Sequence, residues 1–411
     1  MDRSLCDTCR VTSLDDLVED MARLTDAPCT LEDPDFRLIG FSDHRGDDVV
    51  DSIRQRSILQ RRSTDDVRAW FRGQGIEDSP GPLRTPADDT LGIVARLCVP
   101  ARHLGRVHGY FWLIDPDGRI PDATWPEAIR IAESAARLLS VAARRQAHRD
   151  ELFRELVEGG PLAARESAAE LAHAGGLDLR EPVTCVLMER PELLDQVASR
   201  PSRAGVVWVR SGPRVACAIT RASLVDPAHD LTDLLGVLGL GRRVDTLDRV
   251  TRAATGPTVP GLDDLAAAHR GAQVSLRVAR AAAPGTVVRW ESLGPLALLG
   301  VGRDDDLTAA VLAPPVRAFL SSAGADLVET VRTWLDEGGS AGRTASRLAV
   351  HRQTVYHRLG QVERATGYDL ARGADRLRLH LALELAPYLD PPPAPPPAPP
   401  PGPGSPLSPN R

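Results

Sequence analysis

Between Ser340 and Gly367 the sequence reads as two short amphipathic helices joined by a tight connector. No other stretch of the 411 residues limits the fold so narrowly. Ser340 stands where it can cap a helix from Ala341 to Leu348, with Ala345 and Leu348 inward. Ala349-Val350 leads into a longer helix, about His351 to Thr366, that turns Val355, Leu359 and Val362 inward and stops at Gly367. A further amphipathic helix, Asp326–Asp336, precedes them, with Leu327, Val331, Trp334 and Leu335 inward and Gly338-Gly339 at its end. Two helices of these lengths joined by a few residues are the helix-turn-helix pattern, and small Ala345 sits where they would cross.

The phase of the longer helix decides what chemistry it presents. At about 100° per residue from Val355, Leu359 and Val362 fall near 40° and 340°, whereas Gln353, Arg364 and His357 fall near 160°, 180° and 200°. The outer face therefore carries Gln353, His357 and Arg364, with Tyr356 beside them. Gln suits adenine, and Arg suits guanine or phosphate. From Ser340 to Arg364 there are five Arg and one Glu, a local +4 in a chain of net −6, the sign a phosphate-binding surface requires. The predicted DNA contacts are Arg343, Arg347, Arg352, Gln353, Thr354, Tyr356, His357, Arg358 and Arg364. Spacing alone also admits a three-helix packing element with a solvated charged face.

The rest of the chain divides around this module. From about residue 12 to 148 the pattern mixes helix and strand: Ser13 caps a helix Leu14–Leu24, extended segments follow at Cys29–Leu31 and Phe36–Phe41, and a helix reads from Asp48 to about Leu59. Strands read at Gly92–Val99 and Arg106–Ile114, the second closed by the turn Asp115-Pro116-Asp117-Gly118. A helix from Pro126 to about His148 carries Ile131, Ala135, Leu138 and Ala142, a spacing suited to a dimer seam or to packing on its own domain. Residues 150–320 read as a second α+β domain: helices Glu151–Glu158 and Leu162–His173, strands Val183–Met188, Gly205–Val209 and Val215–Ile219, a short apolar segment Gly236–Gly241, and an Ala-rich helix Leu262–Ala282. The helical module spans 326–389. Residues 391–411 hold 12 of the 34 prolines and read as a solvated, disordered or polyproline tail.

Composition closes several routes. The chain has no Lys, so all 50 basic residues are Arg, and a Walker-type phosphate loop, a Schiff-base lysine and a kinase-type lysine are excluded. No uncharged apolar run is long enough for a helix to span a membrane, and Met1–Cys6 lacks the apolar core of a signal peptide. Six Cys in a chain of this length do not make a disulfide scaffold, so the expected compartment is a reducing cytoplasm.

The run Thr344-Ala345-Ser346-Arg347-Leu348-Ala349-Val350-His351-Arg352-Gln353-Thr354-Val355-Tyr356-His357-Arg358-Leu359 resembles the C-terminal helix-turn-helix of the PucR/CdaR family of bacterial regulators. The likeness continues through Val362–Leu370 and Leu379–Leu385, some 60 residues in all. Gln353 stands where that family often has Asn, and His357 where it often has Arg, which leaves base preference open. The middle piece is similar to that family's GGDEF-like domain through Gly239-Leu240-Gly241, Leu262-Asp263-Asp264-Leu265, Ala272–Ala279 and Trp290-Glu291-Ser292-Leu293-Gly294. It lacks the Gly-Gly-Asp/Glu-Glu-Phe turn with which a cyclase would hold metal and nucleotide. The first piece resembles GAF-type sensory domains of actinobacterial members. The resemblance implies a multidomain chain: an α+β GAF-like sensor, an α+β degenerate GGDEF-like domain and an all-α helix-turn-helix. It implies a transcription regulator that binds double-stranded DNA as a homodimer or higher oligomer, responds to an unidentified effector, and is neither an enzyme nor a cofactor protein. The alternatives are a signalling scaffold or nucleotide-binding protein built on the GGDEF-like domain, and a protein-interaction adaptor that has lost DNA binding.

Four other patterns carry less. Gly338-Gly339-Ser340-Ala341-Gly342 satisfies the nucleophile-elbow spacing, but a helix precedes it where a strand is needed, and Ser340 is better used as a cap. Cys6-Asp7-Thr8-Cys9 lacks two further zinc ligands at suitable spacing. His103 and His108 bracket a strand turn and read as surface residues, and Asp304-Asp305-Asp306 as a solvated loop. No metal site is expected.

Overall fold

The computed structural model describes residues 13–42, 63–190, 193–194, 203–240 and 251–389. The expected helix Asp48–Leu59, the Cys6/Cys9 pair and the Pro-rich segment 391–411 lie outside the described residues. The chain forms two compact units, residues 1–289 and 290–411.

The first unit opens with α1 (Leu14–Thr25), held by a reciprocal capping box between Ser13 and Asp16. A five-stranded antiparallel sheet follows, built from β1 (Cys29–Glu32), β2 (Leu38–Phe41), β3 (Leu83–Thr85), β4 (Arg96–His103) and β5 (Arg106–Ile114) in the order β2-β1-β5-β4-β3. Strand β4 starts four residues later than the apolar pattern suggests. Gly92 has φ of 69°, and Asp88 and Ile93 bond each other's backbone at 2.8 Å, so the chain turns there instead of extending. One face of the sheet packs on α1 and α3 (Trp125–Glu158) through Leu31, Leu97, Val99, Phe111 and Leu113. The other face, covered by α2 (Asp65–Gly73), gathers Phe36, Phe71, Tyr110 and Trp112 with ring centroids 4.2–6.2 Å apart. Glu32 is buried at the end of β1, and burial pushes its carboxyl up to about 8 against the pull of Arg96.

Helix α3 runs unbroken for 34 residues and joins what the sequence divides at 148/150. Nothing between Gln146 and Glu151 breaks a helix; only the buried side changes partner. Its first half gives Ala128, Ile131, Ala132, Ala135 and Ala136 to the first core, and its last turns give Leu152, Phe153 and Leu156 to a second. The anticipated dimer stripe is split: Ile131 and Ala135 face the helix's own sheet, while Leu138 is outward.

The second core lies between α3, α4 (Pro161–Gly175), α6 (Leu265–Ala279) and a sheet of β6 (Val183–Met188), β7 (Val206–Arg210), β8 (Ala216–Arg221), β9 (Ala253–Thr255) and β10 (Val287–Arg289). The strand order is β10-β9-β6-β8-β7; only β9 and β10 are parallel, with α6 as their crossover. The Ala-rich sequence of α6 allows close docking: a Cβ on Gly256 would lie 2.0 Å from the Ala268 carbonyl oxygen. Residues 262–264 form a 3₁₀ turn that precedes α6. The segment expected at 236–241 belongs partly to helix α5 (Leu231–Val237).

The second compact unit begins at Trp290, ahead of the expected boundary near 320, because α7 (Asp304–Val311) and α8 (Pro314–Ser322) belong with the helices that follow. Asp304–Asp306 is not a loop but the first turn of α7, where acidic residues favour the helix dipole. The helices α9 (Ala325–Asp336), α10 (Ala341–Arg347), α11 (Arg352–Thr366) and α12 (Gly373–Leu389) complete the unit.

Candidate nucleic-acid interface

The geometry starts at Gly338 and Gly339, whose φ values of 62° and 79° only glycine adopts without strain. They end α9 by donating to the carbonyls of Leu335 and Trp334, and they deliver Ser340 to the start of α10. Ser340 Oγ accepts the Arg343 N–H at 3.4 Å. In the connector Ala349 is left-handed (φ 52°), and Val350 N–H reaches back to the Ala345 carbonyl at 3.0 Å. His351 then caps α11, its Nδ1 accepting the Gln353 N–H at 3.3 Å. This role was not legible from helical periodicity, which gives His351 as the first helical residue. Gly367 (φ 74°) closes the far end.

Val355, Leu359, Val362 and Thr366 are the buried residues of α11. They pack beside Val331 and Trp334 of α9 and Ala341 and Ala345 of α10, all buried. Gln353, His357 and Arg364 are exposed on the opposite side, and Tyr356 beside them is 53% exposed. Thr354 is half-buried. Arg352 lies over the Tyr356 ring, 5.5 Å from its centroid, and donates to the phenol oxygen at 2.9 Å. Gln361 donates to His357 Nε2 at 3.1 Å.

The arginines divide into two groups. Arg343 and Arg347 both hold the Glu337 carboxylate, at 2.9 and 3.0 Å. Their hydrogen bonds keep that carboxyl below its usual range. Arg358 departs from the expected set. At about 300° from Val355 it sits beside the buried stripe, not opposite it. Its guanidinium donates to Thr330 Oγ1 at 2.9 Å and pairs with Asp326 at 3.2 Å, tying α11 to α9. Arg352 and Arg364 make no ion pair among the described residues. Two upstream acids thus offset half of the +4 counted along the sequence, and the unpaired arginines lie on α11.

Residues 327–385 match the PucR C-terminal helix-turn-helix domain, and residues 158–278 match the GGDEF-like domain. The C-terminal domain is a PucR-type helix-turn-helix. The chain is multidomain, with α+β sheets ahead of this helical region. Over 132 residues it is 35% identical to an uncharacterized protein of Mycobacterium tuberculosis, covering 31% of this chain and 30% of that protein. Over 115 residues it is 26% identical to the proline-responsive transcriptional activator PutR of Bacillus subtilis, covering 27% of this chain and 28% of PutR. The chain thus spans about a third of the length of the curated relatives it matches. A regulator of polyketide synthase expression from Bifidobacterium adolescentis aligns over 62% of this chain and 98% of its own, at 20% identity and a TM-score of 0.29, too low to bear on the fold.

The GGDEF-like domain offers one arrangement that sequence reading missed. Ser211 Oγ and His269 Nε2 lie 2.7 Å apart, within the range of a nucleophile and its base. His269 packs edge-on against Phe153, and burial lowers its pKa to about 4. So weak a base is poorly matched to proton abstraction at neutral pH, and the pair serves to satisfy a buried imidazole. The tip of the β7–β8 hairpin reads Ser211-Gly212-Pro213-Arg214, with no carboxylate. Among the described residues no group of three or more His, Cys, Asp or Glu is placed to hold a metal, and no helix is long and apolar enough to cross a membrane.

Proposed function

We infer that this chain is a sequence-specific DNA-binding transcription regulator that reads the major groove with the N-terminal half of α11. The observation that carries this reading is the exposed Gln353/His357/Arg364 face opposite the buried Val355/Leu359/Val362 stripe, within a PucR-type domain. Gln353 and His357 reach base edges, Arg352, Tyr356 and Arg364 reach phosphates, and α10 crosses the backbone with Arg343 and Arg347. One module reads only a few base pairs, so two copies bind paired half-sites, and Leu138 and Val141 on α3 are candidate contacts between them. The GAF-like first domain senses an effector, and the GGDEF-like domain transmits it without catalysing turnover. The protein works in the cytoplasm.

Binding-site selection with the full chain tests this directly. A defined sequence motif whose strength falls steeply with salt is the expected result. Selection that returns no motif, or binding that survives deletion of residues 326–389, refutes it. Incubation with GTP and magnesium is expected to give no cyclic dinucleotide.

A further inference from the structure

The β4–β5 hairpin turns through Leu104-Gly105, with φ values of 50° and 76°, and its last cross-strand pair is His103 and Arg106. Between this hairpin, the middle of α3 and the end of β7 lies an open cleft of about 720 Å³. That size is typical of small-molecule sites. Val107 and Leu139 supply apolar wall, while His103, Arg106, His108 and Arg144 bring basic groups to it. The two imidazole rings are 6.3 Å apart.

Arg106 and Arg144 make no ion pair among the described residues. The cleft also holds two carboxylates and a third arginine, Arg210, which lies 3.9 Å from Asp150. Asp33 accepts the backbone N–H groups of Asp35 and Arg37 at 2.8 and 2.9 Å. Asp150 accepts from Gln146 Nε2 at 2.7 Å and from the Arg210 N–H at 2.8 Å. His108 is held below its ordinary pKa, first by burial and then by the charges of His103, Arg106 and Arg144. Gathered cations in a cleft with low-dielectric walls focus a field that an anion relieves.

We propose that this cleft binds an organic anion, a carboxylate carried on an apolar body, and that this anion is the effector. The second half rests on the regulator reading; the first does not. The head group meets Arg106, Arg144 and the two histidines, and the body lies along Val107 and Leu139. A ligand seated there touches the first sheet, the helix shared by both cores and the end of β7 at once.

Decanoate is a suitable probe, with 1-decanol as its uncharged counterpart, each titrated calorimetrically into the full chain. Both arginines are exposed, so R106Q/R144Q leaves the fold intact, and R137Q on the solvent side of α3 is the control. Decanoate is expected to bind at least tenfold more tightly than decanol. The double variant loses at least tenfold, and the control loses nothing. Equal binding of the alcohol, indifference to the double substitution, or no decanoate binding at millimolar concentration overturns the site. Gel shifts on the same samples separate the two halves. Decanoate that binds through the arginines yet leaves DNA affinity unchanged refutes the effector role alone. A chain that binds decanoate but no DNA at all refutes the regulator reading and leaves the anion site standing.

Discussion

Helices α10 and α11 are adjacent, similarly basic and separated by four residues, yet their charges are used differently. On α10 both arginines share the single Glu337 carboxylate, so half of that helix's charge is offset before DNA arrives. On α11 the charge and the hydrogen-bonding groups of the outer face point to solvent, and the one arginine turned inward, Arg358, binds α9. Counting charge along a sequence therefore locates a nucleic-acid surface only roughly. The pairing of each arginine decides whether it positions, reads or holds the domain together.

The largest effect expected on this contrast is structural. Val355 is fully buried, and Val355→Ala costs about 2–3 kcal/mol of C-terminal domain stability through lost transfer energy and a cavity. Thermal melts show this as a lowered transition, with an unchanged preferred sequence in whatever remains folded. Gln353→Ala comes next and acts only on DNA. It loses about 1–3 kcal/mol against the cognate site and flattens preference at one base position. If affinity instead falls uniformly across sequences, α11 enters the groove on a different face. Ala349→Gly relieves a left-handed alanine between the two helices and is expected to stabilise the domain by up to about 1 kcal/mol, visible in denaturant melts. The smallest effects separate the two roles of arginine. Arg347→Ala weakens all sequences alike and reduces the salt slope by about one unit. Glu337→Gln does the reverse, releasing two arginines and strengthening non-specific binding a few-fold at low salt. A Glu337→Gln chain with unaltered salt dependence would show that α10 does not approach phosphate.

The helix-turn-helix was legible because its signals are local. Ser340, Gly367 and a stripe repeating every three to four residues mark ends that the structure reproduces within about two residues. The ion pairs were not, since Arg343 meets a residue six positions away and Arg358 one thirty-two away, and no local pattern encodes such partners. Short strands escaped for a related reason. In β3 and β9 three residues suffice once a neighbouring strand supplies the hydrogen bonds, and three residues carry no periodicity. The apparent boundary at 148/150 arose where α3 exchanges one set of neighbours for another, which breaks the apolar stripe without breaking the helix.

That exchange makes α3 sensitive to length in a way few helices are. At about 1.5 Å and 100° per residue, its 34 residues form a shaft roughly 50 Å long whose two ends are keyed to different cores. Adding one residue between Ser140 and Gln146 would turn one core about 100° relative to the other, whereas adding seven would nearly restore the phase. The spacing of those cores along the chain is thus a register in its own right. Insertions there should be tolerated in steps of a whole number of turns and disruptive in between, even though every inserted residue would be a good helix former.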